Sequence, residues 1–269
     1  MKAVVVNALL IVTALLTVIP LLWMLSASFM PTGEATIYPP RLLPSSVTLE
    51  HYRELFTRLN IGRAFFSSTV IAVGTTVFSL LLNSMAGYAF AKLRFGGRDR
   101  LFAVLVAALV IPTQVAMLPL FLMLKSVRLV NSYWGVILPS IATIFGIFLI
   151  RQFMLSIPDE LLDAARIDGA NEWRIYWNIV LPLARPVLVT LAIFTFMSAW
   201  NDFMWPLIVL TDDAKYTLPV AVANLVGEHV QDTELMMASS VLTVLPVLIL
   251  FLALQRHYIA GIMMGSVKG

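Results

Sequence analysis

Between Asp159 and Asn178 the chain carries five carboxylates (Asp159, Glu160, Asp163, Asp168, Glu172) and two guanidinium groups (Arg166, Arg174), a local balance of minus three in a sequence that is 60% hydrophobic. Acids at this density can face a basic partner or simply be solvated. No transition-metal site is expected. The three histidines, His51, His229 and His257, lie far apart with no ligand spacing, and the chain has no cysteine, which also excludes thiolate catalysis and disulfides. One further acid, Asp202, stands alone inside an apolar stretch, and an ionisable residue there is a functional candidate by default. Nothing in the sequence supplies a phosphate cradle: there is no G-x-x-x-x-G-K-[ST], and Gly96-Gly97-Arg98 reads as a turn followed by charge. H-E-x-x-H and G-x-S-x-G are absent too. The chain is expected to catalyse nothing and to hold no cofactor, so any work it does must be powered from outside.

The elements that position these residues belong to a membrane protein. Only 12% of residues are charged and the mean hydropathy is +0.91, far from a soluble domain. Apolar stretches able to cross a hydrocarbon core, which takes about 20 helical residues, fall at 3–29, 64–91, 101–124, 129–150, 186–211 and 235–254. The sequence therefore predicts an all-α, polytopic protein with six transmembrane helices in one domain over 1–269, because lipid leaves the backbone only helices or closed barrels and these runs do not alternate. Alternate assignment of the loops puts eleven of the eighteen Lys and Arg residues on one side and seven on the other. The richer side, marked by the group from Lys92 to Arg100, is expected to be cytoplasmic, with both termini there. A formal net charge of +3 is accounted for by this topology signal, and no nucleic-acid partner is expected. Ser26-Ala27-Ser28 resembles a cleavage site, but the apolar run before it is too long for a signal peptide, so a retained helix is expected. Prolines within or at the ends of the spans predict kinks. Outside the membrane, Leu49, Tyr52, Phe56 and Leu59 recur at helical spacing, with Thr48 as a cap and Glu54 and Arg58 as an i,i+4 pair; they predict a short amphipathic helix that packs on its apolar side.

The acidic strip itself reads as two helices and a corner. Ser156-Ile157-Pro158-Asp159 has the form of a capping box opening a first helix. Gly169 is placed to end it in the left-handed conformation. Asn171 can cap a second helix carrying Trp173, Tyr176 and Trp177, expected to stop near Leu181 because Pro182 follows. Paired alanines permit close approach of another chain, and acids beside them suit a basic one. A docking surface and a solvated loop are the two readings left open by the residues alone.

Asp163-Ala164-Ala165, then Asp168-Gly169-Ala170, then after eight residues Ile179 and Leu181-Pro182 resemble the cytoplasmic "EAA" signature of binding-protein-dependent ABC transporter permeases. Eight of nine signature positions are identical, and the ninth is aspartate for glutamate. "WNDFMWPL" from Trp200 to Leu207 and the ending "LQRHYIAGIMMGSVKG" are similar to the carbohydrate branch, in particular the smaller maltose-type permease subunit. The resemblance implies a bacterial inner-membrane sugar importer in which this chain forms half of the pathway with a second permease. Two cytoplasmic ATPase subunits would bind ATP and Mg, and an extracytoplasmic binding protein would deliver sugar. It implies that the loop at about 156–182 couples to the ATPase: Asp163 as the electrostatic contact, Ala164 and Ala165 as the close-packing face, Asp168, Gly169 and Ala170 as the corner. It also implies that the loop from about Thr211 to Glu234 reaches toward the binding protein, and that the tail to Gly269 touches the ATPase pair. Trp200, Asn201 and Asp202 could line the pathway, an indole packing on a sugar ring while amide and carboxylate take hydroxyls. Asp202 lies sixteen residues past Pro186, about 24 Å into a core of about 30 Å, so ordinary interfacial residues are the competing reading. Import of another solute, such as a polyamine or glycerol phosphate, is the nearest alternative. A secondary transporter is more distant, since neither coupling-ion ligands at the midplane nor internal repeats are visible.

Overall fold

The computed structural model describes residues 2–57, 59–228 and 232–266, and the side chains of 5–57, 59–225 and 232–253. Helices account for its regular structure, and no strand occurs among the described residues. They are α1 (Lys2–Ala27), α2 (Glu50–Thr57), α3 (Ile61–Lys92), α4 (Arg98–Ala107), α5 (Met117–Ser126), α6 (Tyr133–Ile137), α7 (Ile144–Met154), α8 (Asp159–Ile167), α9 (Glu172–Ile175), α10 (Leu181–Leu183), α11 (Arg185–Trp200), α12 (Met204–Val209), α13 (Leu218–Glu228) and α14 (Thr233–Ser266).

Three helices are individually long and apolar enough to cross a membrane: α1, α3 and α14. Three bent pairs meet the same test only when each pair is taken together, with bends of 97° at Ile111-Pro112, 42° at 141–143 and 77° at Ala184. The apolar stretches 101–124 and 129–150, read from the sequence as single spans, are thus each broken by a bend, whereas the bend at Ala184 falls just before the stretch 186–211. The causes are local. Ile111 precedes a proline and is extended (φ −79°, ψ 119°), as the clash with a proline ring demands. Thr143 leaves the helical region and accepts the Gly146 N–H at 3.1 Å, opening a new helix. In the third stretch α11 ends at Trp200, and Asn201 to Phe203 separate it from α12.

The chain divides into two compact units, 1–65 with 217–248 and 66–216 with 249–269. In the first, Ala27, Met30 and Ala35 form a buried cluster with Trp23 and Met237 against it. The loop after α1 closes on two buried carboxylates: Glu34 accepts from Arg41 at 2.9 Å and from Ser45, and Glu234 accepts the Ala35 N–H at 2.7 Å. The short helix expected outside the spans is α2, and Glu50 N–H donates to Thr48 Oγ1 at 3.2 Å as its cap. Its inner face differs from the expected one. His51 and Leu55 are buried while Leu49 and Phe56 are exposed, because a ring nitrogen of His51 bonds the Met30 carbonyl at 2.9 Å and Tyr52 bonds Ser28 at 2.8 Å. Apolar periodicity does not register a polar residue that finds its partner in another segment. Arg58, the expected partner of Glu54, lies outside the described residues, as do His229 and the side chain of His257.

In the second unit α3 and α7 come close enough that a Cβ on Gly87 would stand 2.5 Å from Ile150 Cγ2. This approach builds a core of Tyr88, Ile150, Met154, Ile157, Leu162, Ile175, Tyr176 and Val180. Seven of these eight lie within or beside the acidic strip or on the helix leading into it, so the strip is folded onto the end of the helical bundle. It is not a free loop.

Candidate functional site

Helix α8 starts at Asp159 behind an extended Pro158, with no side-chain cap. The expected capping box does not form. Ser156 turns back and donates to the Phe153 carbonyl at 2.6 Å, closing the last turn of α7, and Asp159 and Glu160 instead place negative charge in the first turn of α8. At the other end the corner forms as expected: Gly169 has φ +81°. Gly169 N–H donates to Arg166 O at 3.0 Å and Ala170 N–H to Ala165 O at 2.9 Å, the two crossed bonds of a Schellman motif. Ala165 and Ala170, the residues that this motif brings together, both pack against the core. Asn171 Oδ1 accepts the Arg174 N–H at 2.9 Å and caps α9.

Beyond α9 the helix does not stop at Leu181. A π turn over Tyr176–Val180 lets Leu181 N–H bond Tyr176 O, and α10 follows with Pro182 in its first turn. The wide turn shifts the hydrogen-bond register just ahead of the proline, so its missing donor falls at the start of a helix, where none is needed. The chain breaks direction three residues later than expected, at Ala184.

The charges of the strip are paired mostly with one another. Arg166 donates to Asp163 at 2.7 Å and to Glu172 at 2.9 Å, and the Tyr88 hydroxyl donates to Glu172. Lys92 donates to Asp159 and to the Ile157 carbonyl, both at 2.6 Å. That contact with the ammonium holds the Asp159 carboxyl below the usual aspartate range. Asp163, Ala164, Asp168 and Gly169 remain exposed. With them stand large exposed apolar side chains: Ile167 is 86% exposed and Trp173 60%. The hairpin thus presents an apolar crest rimmed by acids, on a frame fixed from beneath. Among the described residues no group of His, Asp or Glu could hold a metal.

Trp200, Asn201 and Asp202 have three different local settings. Trp200 is 1% exposed and stacks on Phe196 at 5.7 Å. The exposed Asn201 amide donates back to Met197 O at 2.8 Å, and Asp202 Oδ1 accepts the Trp205 N–H at 3.3 Å, at the opening of α12. Past them Asn131, itself left-handed (φ +59°), fastens the segment after α12: its Oδ1 accepts from Thr211 and Asp212, both at 3.2 Å, and its carbonyl from Lys215 at 2.9 Å.

Several residues that shape the hairpin carry no motif. Lys92 is part of the charge group that marks topology, and Tyr88 sits in an apolar run. Ile167 occupies a variable position inside the signature. The available signal is spacing: Lys92 stands four residues after Tyr88, and Arg166 lies three after Asp163 and six before Glu172.

The model of the binding-protein-dependent transport system inner membrane component family matches residues 83–263. The chain belongs to this family. It is 40% identical over 259 residues to the arabinooligosaccharides transport system permease protein of Halalkalibacterium halodurans, covering 95% of this chain and 93% of that one. It is 34% identical to the diacetylchitobiose uptake system permease protein of Streptomyces coelicolor over 97% of this chain and 88% of the relative. It is 32% identical to the lactose transport system permease protein of Rhizobium radiobacter over 95% of this chain and 92% of the relative. Among solved structures, a chain of a bacterial ABC transporter involved in the import of the acidic polysaccharide alginate superposes with a TM-score of 0.84 at 25% identity, covering 96% of each chain. As an inner membrane component of a transport system, the protein is a permease subunit, and its hairpin lies wholly within the matched region.

Proposed function

We propose that this chain is one of two permease subunits of an ATP-driven, binding-protein-dependent importer of sugar oligomers, and that the hairpin at 156–182 docks on a cytoplasmic ATPase. The names of its relatives support the substrate class: arabinooligosaccharides, diacetylchitobiose and lactose differ in sugar but share a small oligomer of pyranose or furanose rings. The observation that carries the docking role is the exposed crest of Ile167, Ala164 and Trp173 above a rigid, cross-braced frame. Large exposed apolar side chains rimmed by charge fit a partner protein better than water. ATP and Mg bind to that partner, and the chain itself contributes no hydrolytic group. In this reading both termini and the hairpin are cytoplasmic, and an extracytoplasmic binding protein delivers sugar from the other side. Asp163, with its outer oxygen available beside Arg166, meets a basic residue of the ATPase, while Ala164, Ala165, Asp168, Gly169 and Ala170 set the close fit and the corner.

Co-purification of the ATPase with membranes expressing the whole complex tests this. Asp163→Lys sets like charge against a basic cleft, which can cost several kcal/mol, and an acidic substitution in the cleft is expected to restore part of the loss. If Asp163→Lys and Ile167→Asp both retain the ATPase at the parent level, the hairpin is not its dock. For Asn201 and Asp202 a pathway role predicts that alanine variants assemble normally but take up less sugar. Normal uptake by both variants assigns them to the break between α11 and α12 alone.

A further inference from the structure

Three side chains on the hairpin-proximal end of α3, one per helical turn, hold the hairpin at three separate points. Ser84 Oγ hydrogen-bonds the Tyr176 hydroxyl at 2.8 Å, in the π turn. Tyr88 donates to Glu172 at the start of α9. Lys92 donates to Ile157 O and Asp159 at the start of α8. A spacing of four places the three on one face of α3. Ser84 and Tyr88 are buried, and the Lys92 side chain, a cation, is only 5% exposed. Burial of an ammonium costs several kcal/mol unless good acceptors meet it, and here both acceptors belong to the hairpin. The hairpin is joined covalently to α7 and, through α10, to α11, whereas α3 is remote in sequence. One contact would act as a pivot, and two would still leave an axis of rotation. Three contacts spread over α8, α9 and the π turn fix orientation as well as position.

We infer that Ser84, Tyr88 and Lys92 are positioning residues that make α3 and the hairpin one rigid body, so that force applied to the hairpin moves a whole apolar helix of 32 residues and not only the two segments continuous with it. The inference rests on the docking role proposed above for the importance of that force, but the rigidity itself is measurable apart from docking. A coupling path needs an element that moves as a unit, and this face of α3 supplies it.

The chain has no cysteine, so spin labels can be placed at will. Labels at Glu160→Cys on the hairpin and Val77→Cys on α3, both exposed, report the distance across the brace in the full complex, measured without nucleotide and again with ATP and vanadate. The parent is expected to show one narrow distance that is the same in both states. Tyr88→Phe keeps the ring and loses the hydroxyl, and Lys92→Met keeps most of the stem and loses the charge. Each is expected to broaden the distribution, the pair together most, and Lys92→Arg is expected to retain the narrow one. A narrow, unchanged distance in the double variant overturns the inference, even where its melting temperature falls, since a merely structural role would lower stability without loosening the pair. A parent distance that changes with nucleotide overturns it as well. Retention of the ATPase by Ile167→Asp is read separately: its outcome decides the docking role and leaves the distance result standing.

Discussion

At Gly169 the backbone is left-handed, with φ +81°, and a Cβ built there meets nothing within 4 Å. Substitution at this corner is therefore a test of backbone conformation without a steric contribution, and residues should rank by their tolerance of positive φ and not by size. For an ordinary L-residue the left-handed region costs about 1–2 kcal/mol, and asparagine visits it more readily because its short side chain bonds locally. Valine, β-branched, is a genuine outlier there. The corner also carries the crossed bonds from Gly169 and Ala170, so relaxing φ breaks the closure that sets the angle between α8 and α9. If the docked hairpin must have that angle, an energy of about 1–2 kcal/mol lowers ATPase affinity by about 5- to 30-fold in Gly169→Ala, more in Gly169→Val, and least in Gly169→Asn. Titration of purified ATPase onto the permease pair in nanodiscs reads the series directly. Equal affinities for alanine and glycine, or asparagine weaker than alanine, would refute the reasoning, the first because the angle would not matter and the second because the cost would not be conformational.

Close approach gives a second pair of variants: a Cβ at Gly135 would lie 2.3 Å from the Leu129 carbonyl oxygen, a backbone atom, whereas one at Gly62 meets only the Phe56 ring at 3.5 Å. Gly135→Ala is expected to abolish monodisperse protein on size exclusion, and Gly62→Ala to leave the yield at the parent level. Asn131→Leu removes a side-chain acceptor for two N–H groups and puts a branched residue at φ +59°, a loss of about 3 kcal/mol read by thermal unfolding; Asn131→Asp keeps the acceptor and is expected to lose much less. Asp159 is held below its ordinary pKa by Lys92, so the stabilisation it contributes is present above the unfolded aspartate value and is lost only as pH falls through the lowered folded one. Melting temperature is expected to be insensitive to this pair from neutral pH down to about 4, and Asp159→Asn to flatten the dependence below that.

Helices, the acidic strip and its glycine corner are legible in the sequence because each has a local cause. Hydropathy separates the spans, Gly169 satisfies a backbone need that few residues meet, and Asn171 caps within three residues. What escaped has a non-local cause or a competing local one. Ser156 reads as a cap, yet the carbonyl of Phe153 is a nearer acceptor. Pro182 reads as a stop, yet a π turn before it moves the register, and no residue type marks such a turn. His51 interrupts an apolar stripe because its partner, the Met30 carbonyl, lies twenty-one residues away. Pro112 stands at the break in the first apolar stretch and Asp202 at the interruption of the third, while no proline or charge falls at 141–143 to announce the break in the second. At the site, motif spacing identified the corner, while the braces Tyr88 and Lys92 come from a helix whose proximity no local pattern encodes.

On the proposed docking role, the aspartate that replaces glutamate in the signature bears on what would hold the docked state together. Asp163 is already paired to Arg166 at 2.7 Å, three residues on in the same helix, and Arg166 also ties Glu172, while Lys92 takes Asp159. Three of the five acids are thus paired inside the chain, although Asp163 and Glu172 share the single charge of Arg166, and Glu160 and Asp168 add further negative charge to the exposed rim. The apolar crest has no such internal partner: Ile167 at 86% exposure gains by burial about 1.5–3 kcal/mol, which an ATPase pocket would return as affinity. Charge should therefore steer the encounter, and the crest should hold the complex. Salt separates the two, because the screening length falls from about 10 Å at 0.1 M to about 3 Å at 1 M while apolar burial survives. The dissociation rate of the ATPase is expected to change little across that range in the parent and to rise by about tenfold or more in Ile167→Asp, the loss of the burial energy plus the desolvation of a new carboxylate. A dissociation rate that climbs steeply with salt and ignores Ile167→Asp would mean that the acidic rim, despite its internal pairing, is the true grip, and that the exposed isoleucine serves some other contact.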